Sequence, residues 1–297
     1  MNLGKKSNEH LIEEMIENRH KEILIETFKA FDKFCDDNNI KYFACGGTAI
    51  GAVRHKGIIP WDDDIDVCML RDDYNRFIEL KEKCIGTKYC IVDYNDKGYY
   101  LPFAKFMDNN TTIWEAKENS FILGVFIDIF PLNYTNDSYK ENKDFQHQYI
   151  KAFTDYVITQ KRYSCTQLIK EQKLRGFKTY IKHLIFRNIQ SLLFRRFKTL
   201  DEQIRNNKEG NFLLNYYTPY KIEKEIFPKE WFQTQIELPF EDTFIKLPNG
   251  YEMYLTQLFG DYMVPPPVEK QESHHSLYFI DLDSRLSIDE IRRKQHE

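Results

Sequence analysis

Between Trp61 and Met69 the chain reads Trp-Asp-Asp-Asp-Ile-Asp-Val-Cys-Met, an alternation of aspartate with isoleucine and valine that has a period of two. Strand side chains point to opposite faces in turn, so Asp62, Asp64 and Asp66 share one face while Ile65, Val67 and Met69 share the other. A helix would scatter the same residues around its circumference. The spacing therefore predicts a strand from Trp61 to Met69 with one acidic face and one core face. Three like charges at that spacing repel one another unless a cation lies among them. A hard, oxygen-liganded ion, Mg²⁺ or Mn²⁺, is the natural occupant, whereas a solvated acidic turn is the plainer reading of an isolated Asp-Asp-Asp.

Two further features favour the ion. Asp128 lies in Phe-Ile-Leu-Gly-Val-Phe-Ile-Asp-Ile-Phe-Pro (121–131), a segment so apolar that it should be buried. A lone carboxylate there would cost several kcal/mol or shift its pKa upward, so it needs a partner. Serving as a third ligand beside two strand aspartates would satisfy it, and a structural pair with Lys105 or Arg54 is the competing reading. The second feature is Gly46-Gly47-Thr48, which follows the short aromatic run Ile40 to Cys45. This pattern predicts a strand that turns sharply into a helix near Thr48, ended by Gly57 and Pro60. Such a turn brings main chain close to a phosphate and aims free N–H groups at an anion.

The rest of the first half suits a mixed sheet. His10 to Asp37 has helical apolar spacing, as has Arg71 to Lys83. Tyr89 to Asp93, Leu101 to Met107, Thr111 to Glu115 and Ile122 to Phe130 suit strands. The expected fold class is α+β (mixed α/β), a mixed sheet flanked by helices, with a catalytic core over residues 1–136 and a mostly helical accessory region over 137–297. Six cysteines without a CxxC pair read as reduced core thiols. No apolar run reaches the ~20 residues that span a bilayer, and no signal peptide is evident, so a cytoplasmic location is expected.

The stretch from Gly46 through Arg54, His55, Pro60 and Trp61 to Asp66 resembles the signature of the LicD family, bacterial phosphocholine transferases related to the fukutin group within the polymerase-β-like nucleotidyltransferases. Further likeness appears in Gly124 to Leu132, in Phe259-Gly260-Asp261-Tyr262-Met263 with the prolines after it, and in His274-His275, so that in outline it covers Glu22 to His275. The resemblance implies transfer of a phosphoalcohol such as phosphocholine from a CDP-activated donor to a hydroxyl of a cell-surface glycan precursor: lipopolysaccharide, teichoic acid or capsule. By the same resemblance Asp64, Asp66 and Asp128 are the catalytic, metal-holding carboxylates, and Gly46, Gly47 and Thr48 cradle the donor phosphates. Arg54, His55 and Lys105 are candidates for stabilising phosphate charge, Asp62 and Asp63 for outer-sphere roles, and Trp61 for the core.

Charge is unevenly spread. A net −4 divides into +10 over residues 161–200, where eleven Lys and Arg face only Glu171, and −14 elsewhere. Within that stretch Leu174, Phe177, Ile181, Leu184, Ile185, Ile189, Leu192 and Leu193 recur at three- and four-residue steps, which makes a cationic amphipathic helix. Packing of its apolar face on the core is the favoured expectation, and peripheral contact with an anionic membrane at the inner leaflet, where a lipid-linked acceptor would lie, is the alternative. The stripe's aromatics sit mostly on the apolar face rather than between the bases, so no nucleic acid partner is expected. A nucleotidyltransferase acting on a nucleic acid or small molecule, and a non-catalytic nucleotide-binding protein of the same fold, are the other classes considered.

Overall fold

The computed structural model describes residues 3–271 and 277–295; His274-His275 lies outside the described residues. The chain opens with one long helix, α1 (Leu3–Asp37), where helical spacing is legible only from His10. It leads to a two-residue strand β1 (Phe43–Ala44), then α2 (Gly46–Ile50), which widens into a π turn at Gly51–His55 and stops where Lys56 adopts a left-handed φ of 58°. The helix thus starts two residues before Thr48. β2 (Asp66–Leu70) and α3 (Arg71–Glu79) follow, then β3 (Tyr89–Val92), β4 (Ala104–Trp114) and β5 (Leu123–Thr135). β4 unites what read as two strands, with an irregularity between Asp108 and Ile113 marking the apparent gap.

Three helices come next: α4 (Tyr139–Gln160), α5 (Cys165–Asn188) and α6 (Gln190–Asn206). The remainder alternates short elements: β6 (Phe212–Leu214), β7 (Phe227–Pro228), β8 (Gln235–Phe240), β9 (Thr243–Pro248), α7 (Tyr251–Phe259), β10 (Phe279–Asp281) and α8 (Ile288–Lys294). Beyond residue 136, then, the long helices are confined to 139–206, and among the described residues five short strands and two short α-helices follow.

A mixed sheet runs β1-β2-β5-β4-β10, with β3 also on β4, and β6 and β7 extending it from β5. β2 and β5 are parallel; the other pairs are antiparallel. Strand neighbours lie on opposite faces. Phe106 therefore meets α1, with its ring 5.8 Å from that of Phe31, while Lys105 beside it faces the other way. Leu24, Phe28 and Phe31 of α1 are fully buried in that core.

Two expectations need correction. The acidic strand starts at Asp66 rather than Trp61, because β1 pairs only with Val67 and Cys68 and the ladder with β5 begins at Asp66. Its apolar positions are nonetheless as expected, with Ile65, Val67 and Met69 fully buried. The apolar stripe of α5 is not packed on the core: Leu174, Phe177, Ile181, Leu184 and Ile185 are exposed. Cys35, Cys45, Cys68 and Cys84 are buried free thiols, Cys90 and Cys165 half-buried ones.

Candidate functional site

The register of three neighbouring strands places Asp66 of β2, Asp128 of β5 and Lys105 of β4 in one row across the sheet. Their side chains share the face opposite α1. Asp64 lies two residues before Asp66, and its carboxylate meets those of Asp66 and Asp128 on the same side. The result is tight: Asp64, Asp66 and Asp128 each offer a carboxylate oxygen, all within 4.8 Å of one another, and Asp62, Asp63 and Asp64 form a second such group. Donors of this kind, hard oxygens gathered from two strands and the segment leading into one of them, fit Mg²⁺ or Mn²⁺.

Electrostatics express the crowding. Burial, then the charges of Asp64, Asp128 and Asp62, push the Asp66 carboxyl well above the usual carboxylate range, with Lys105 opposing. Burial also raises Asp128, to about 6, against the lowering pull of the Lys105 ammonium. That ammonium is buried with Asp128 in a hydrogen-bonded ion pair and lies 3.3 Å from the centre of the Phe126 ring. Of the two structural partners the sequence allows for Asp128, the fold therefore selects Lys105, and Asp128 belongs at once to an ion pair and to the carboxylate cluster.

The Gly46-Gly47 turn abuts this cluster. Gly46 has a φ of +55°, and a Cβ on it would lie 3.4 Å from Asp66 Oδ2; a Cβ on Gly47 would come within 2.7 Å of Asp62 Oδ2. The left-handed φ accounts for Gly46, whereas at Gly47 an added Cβ would have to displace the Asp62 carboxylate. Thr48 is buried, and its hydroxyl accepts the Asp66 N–H at 2.8 Å, while the Cys45 N–H donates to the Asp66 carbonyl at 3.1 Å. The turn is thus stitched to the strand that carries the carboxylate. Arg54 donates from Nε to His55 Nε2 at 2.8 Å and from a terminal nitrogen to the Tyr262 carbonyl at 2.7 Å. Burial lowers the His55 pKa and the Arg54 charge adds to the effect. Trp61 is half-buried against the core, edge-on to His55 at 6.0 Å.

Other contributors were not legible in the sequence. The Tyr254 hydroxyl, from α7, accepts the Gly46 N–H at 3.1 Å, so residues 208 positions away in the chain hold the turn. Glu225 is a buried carboxyl, raised by burial to about 7 although Thr218 donates to it at 2.6 Å. A cavity of about 740 Å³ lined by Lys97, Arg162, His183 and Arg187 contains none of the clustered carboxylates, so concavity alone does not locate the chemistry.

Residues 39–166 match the family described as LicD/FKTN/FKRP, nucleotidyltransferase domain, a span that includes the turn and every clustered carboxylate. The lipopolysaccharide cholinephosphotransferase LicD of Haemophilus influenzae is 32% identical over 247 residues, 82% of this chain and 90% of that protein. An uncharacterised protein of Rickettsia typhi is 31% identical over 120 residues, 40% of this chain and 36% of its own, and one of Rickettsia prowazekii is 46% identical over 50 residues, 17% and 19%. With about a third of its residues identical to that Haemophilus protein over 82% of its length, the chain belongs to the LicD family.

Proposed function

We propose that this protein transfers a phosphoalcohol, phosphocholine foremost, from a CDP-activated donor to a hydroxyl of a cell-surface glycan precursor, and that it needs Mg²⁺ or Mn²⁺ to do so. The observation that carries this reading is the meeting of Asp64, Asp66 and Asp128 within 4.8 Å, beside the Gly46-Gly47 turn, in a chain of this family. The name of the Haemophilus relative favours choline as the alcohol and lipopolysaccharide as the acceptor, over teichoic acid or capsule. A divalent ion bound by the three carboxylates would neutralise charge on the donor pyrophosphate and on the departing CMP.

The chain's own groups supply the rest. Gly46 and Gly47 leave room for donor phosphates to approach the main chain, and Arg54 and His55 flank that approach with positive or hydrogen-bonding groups. Thr48 and Tyr254 hold the turn in place. Asp128 takes the proton of the acceptor hydroxyl as its oxygen attacks the phosphorus next to the alcohol, and the bond to CMP breaks. Lys105, paired with Asp128, sets how readily that carboxylate accepts the proton. Asp62 and Asp63 act from the outer sphere. The reaction takes place in the cytoplasm, on a lipid-linked acceptor at the inner face of the membrane.

The test is a donor screen by mass spectrometry with Mg²⁺, presenting CDP-choline, CDP-ethanolamine, CDP-glycerol and CDP-ribitol to wild type, Asp64→Ala and Asp66→Ala. Metal-borne stabilisation of several kcal/mol corresponds to a loss of CMP release of about 10³-fold in each variant. Unchanged release in both variants would overturn the assignment.

A further inference from the structure

α5 is broken at Lys173, whose φ of 50° and ψ of −129° interrupt the helix. The break turns the second part back toward the first: a Cβ on Gly176 would lie 1.9 Å from the Leu168 carbonyl oxygen, so only glycine permits this approach. After the break, the face turned to the protein carries Gly176 and His183, both buried, with the His183 ring 2.7 Å from the Ile158 carbonyl of α4. The opposite face carries Leu174, Phe177, Ile181, Leu184 and Ile185, each 40–68% exposed, and Leu192 continues it into α6 at 63%. A surface helix ordinarily buries its apolar stripe. This one buries glycine and histidine and turns its leucines and isoleucines outward.

Cations border the exposed stripe. At about 3.6 residues per turn, Arg175 and Lys178 follow one edge and Arg187 the other. None of the three has an acidic partner among the described residues, whereas Lys182 is held by Asp155 at 2.9 Å. An apolar band between rows of uncompensated cations is complementary to hydrocarbon bordered by anionic headgroups. It is a poor match for a second copy of itself, because each copy would bring Arg175, Lys178 and Arg187 to the contact with no acid on that face to meet them.

We propose that the outward face of α5 and the start of α6 dock on an anionic lipid surface, with the apolar side chains entering the boundary of the acyl region and the cations meeting headgroup phosphates. Among the described residues no helix is long and apolar enough to cross a membrane, so this contact lies along the surface. Its purpose rests on the reading of the acceptor as lipid-linked; the docking itself is measurable without turnover.

The full chain is floated with vesicles of phosphatidylcholine alone and of phosphatidylcholine mixed with phosphatidylglycerol, at low and high salt. Binding to the mixed vesicles, weakened by salt, is expected. Lys178→Gln lowers the partition coefficient about fivefold, the effect of one cation near an anionic surface. The pair Leu174→Asp and Ile185→Asp abolishes flotation, with melting temperature and CMP release from a water-soluble donor unchanged, since both side chains are exposed and belong to no part of the site. Equal binding to the two vesicle types, or to neither, overturns the proposal. So does a wild type that dimerises through this face, shown by light scattering as a dimer that the paired variant converts to monomer without any vesicle binding. A failed donor screen would leave the flotation result standing, and the converse holds.

Discussion

At Asp128 a carboxylate is set between Ile127 and Ile129, both fully buried, and Lys105 from the next strand answers its charge. Removing one partner of such a pair leaves the other uncompensated, so Lys105→Met should cost about 3–5 kcal/mol in denaturant unfolding. The same change takes away the charge that most lowers the Asp128 pKa. The acid limb of the pH–rate profile should therefore move to higher pH, and a limb that stays in place would remove Asp128 from the proton transfer. Glu225 allows a cleaner titration, because it stands outside the carboxylate cluster. Its folded pKa of about 7 exceeds the ordinary 4.5. A carboxyl raised in this way contributes stability fully below about pH 4.5, and that contribution is lost as pH rises through about 7. Glu225→Gln should accordingly stabilise the protein at pH 8, by up to about 3 kcal/mol, and change little at pH 4, as read from thermal melts at the two values. Of these residues Asp128 was legible in sequence, because an acid in an apolar run is conspicuous. Glu225 was not, since nothing in Ile-Glu-Lys-Glu-Ile-Phe marks which glutamate faces inward.

Among the elements, the turn from β1 through α2 to β2 shows how a local motif becomes a rigid one. The Thr48 hydroxyl satisfies the Asp66 N–H, and the Asp128 N–H donates to the Ile65 carbonyl at 3.0 Å, so helix, strand and neighbouring strand share their hydrogen bonds around the carboxylates. Thr48→Val keeps the shape and orphans that donor, which should cost about 1–3 kcal/mol. Thr48→Ser retains the hydroxyl and should recover most of the loss; equal destabilisation by both would show that packing, not the hydrogen bond, is what Thr48 provides. The period-two pattern of the acidic segment identified the shared face of Asp64 and Asp66 correctly, because extended backbone alternates whether or not a ladder forms. It overstated the strand, since ladder length depends on a partner that the segment itself does not encode.

Across the whole molecule, the sheet is joined to the helical layer through a buried polar network. Arg71, at the start of α3, donates to Asn133 of β5 at 2.7 Å and lies 3.8 Å from Asp201 of α6; Tyr94 and Tyr149 donate to the two Asp201 oxygens at 2.6 and 3.2 Å. Arg71 and Asp201 are almost wholly buried. Asp201→Ala should cost about 3–5 kcal/mol, read as a shift in the urea midpoint, because it strands a buried guanidinium. A cost below about 1 kcal/mol would mean that the helices stabilise the sheet by apolar contact alone.

By itself, the sequence determined the acidic face, the glycine turn, the buried carboxylate and the family, because each is written in neighbouring residues whose spacing obeys backbone geometry. Only the tertiary structure decided that Lys105 pairs with Asp128, that Tyr254 holds the turn and Tyr262 the Arg54 side chain, and that the stripe of α5 faces outward. Those outcomes join residues far apart in the chain. A helix carries the same periodicity whichever side it turns to the protein, and the kink at Lys173 with the close approach at Gly176 chose the side.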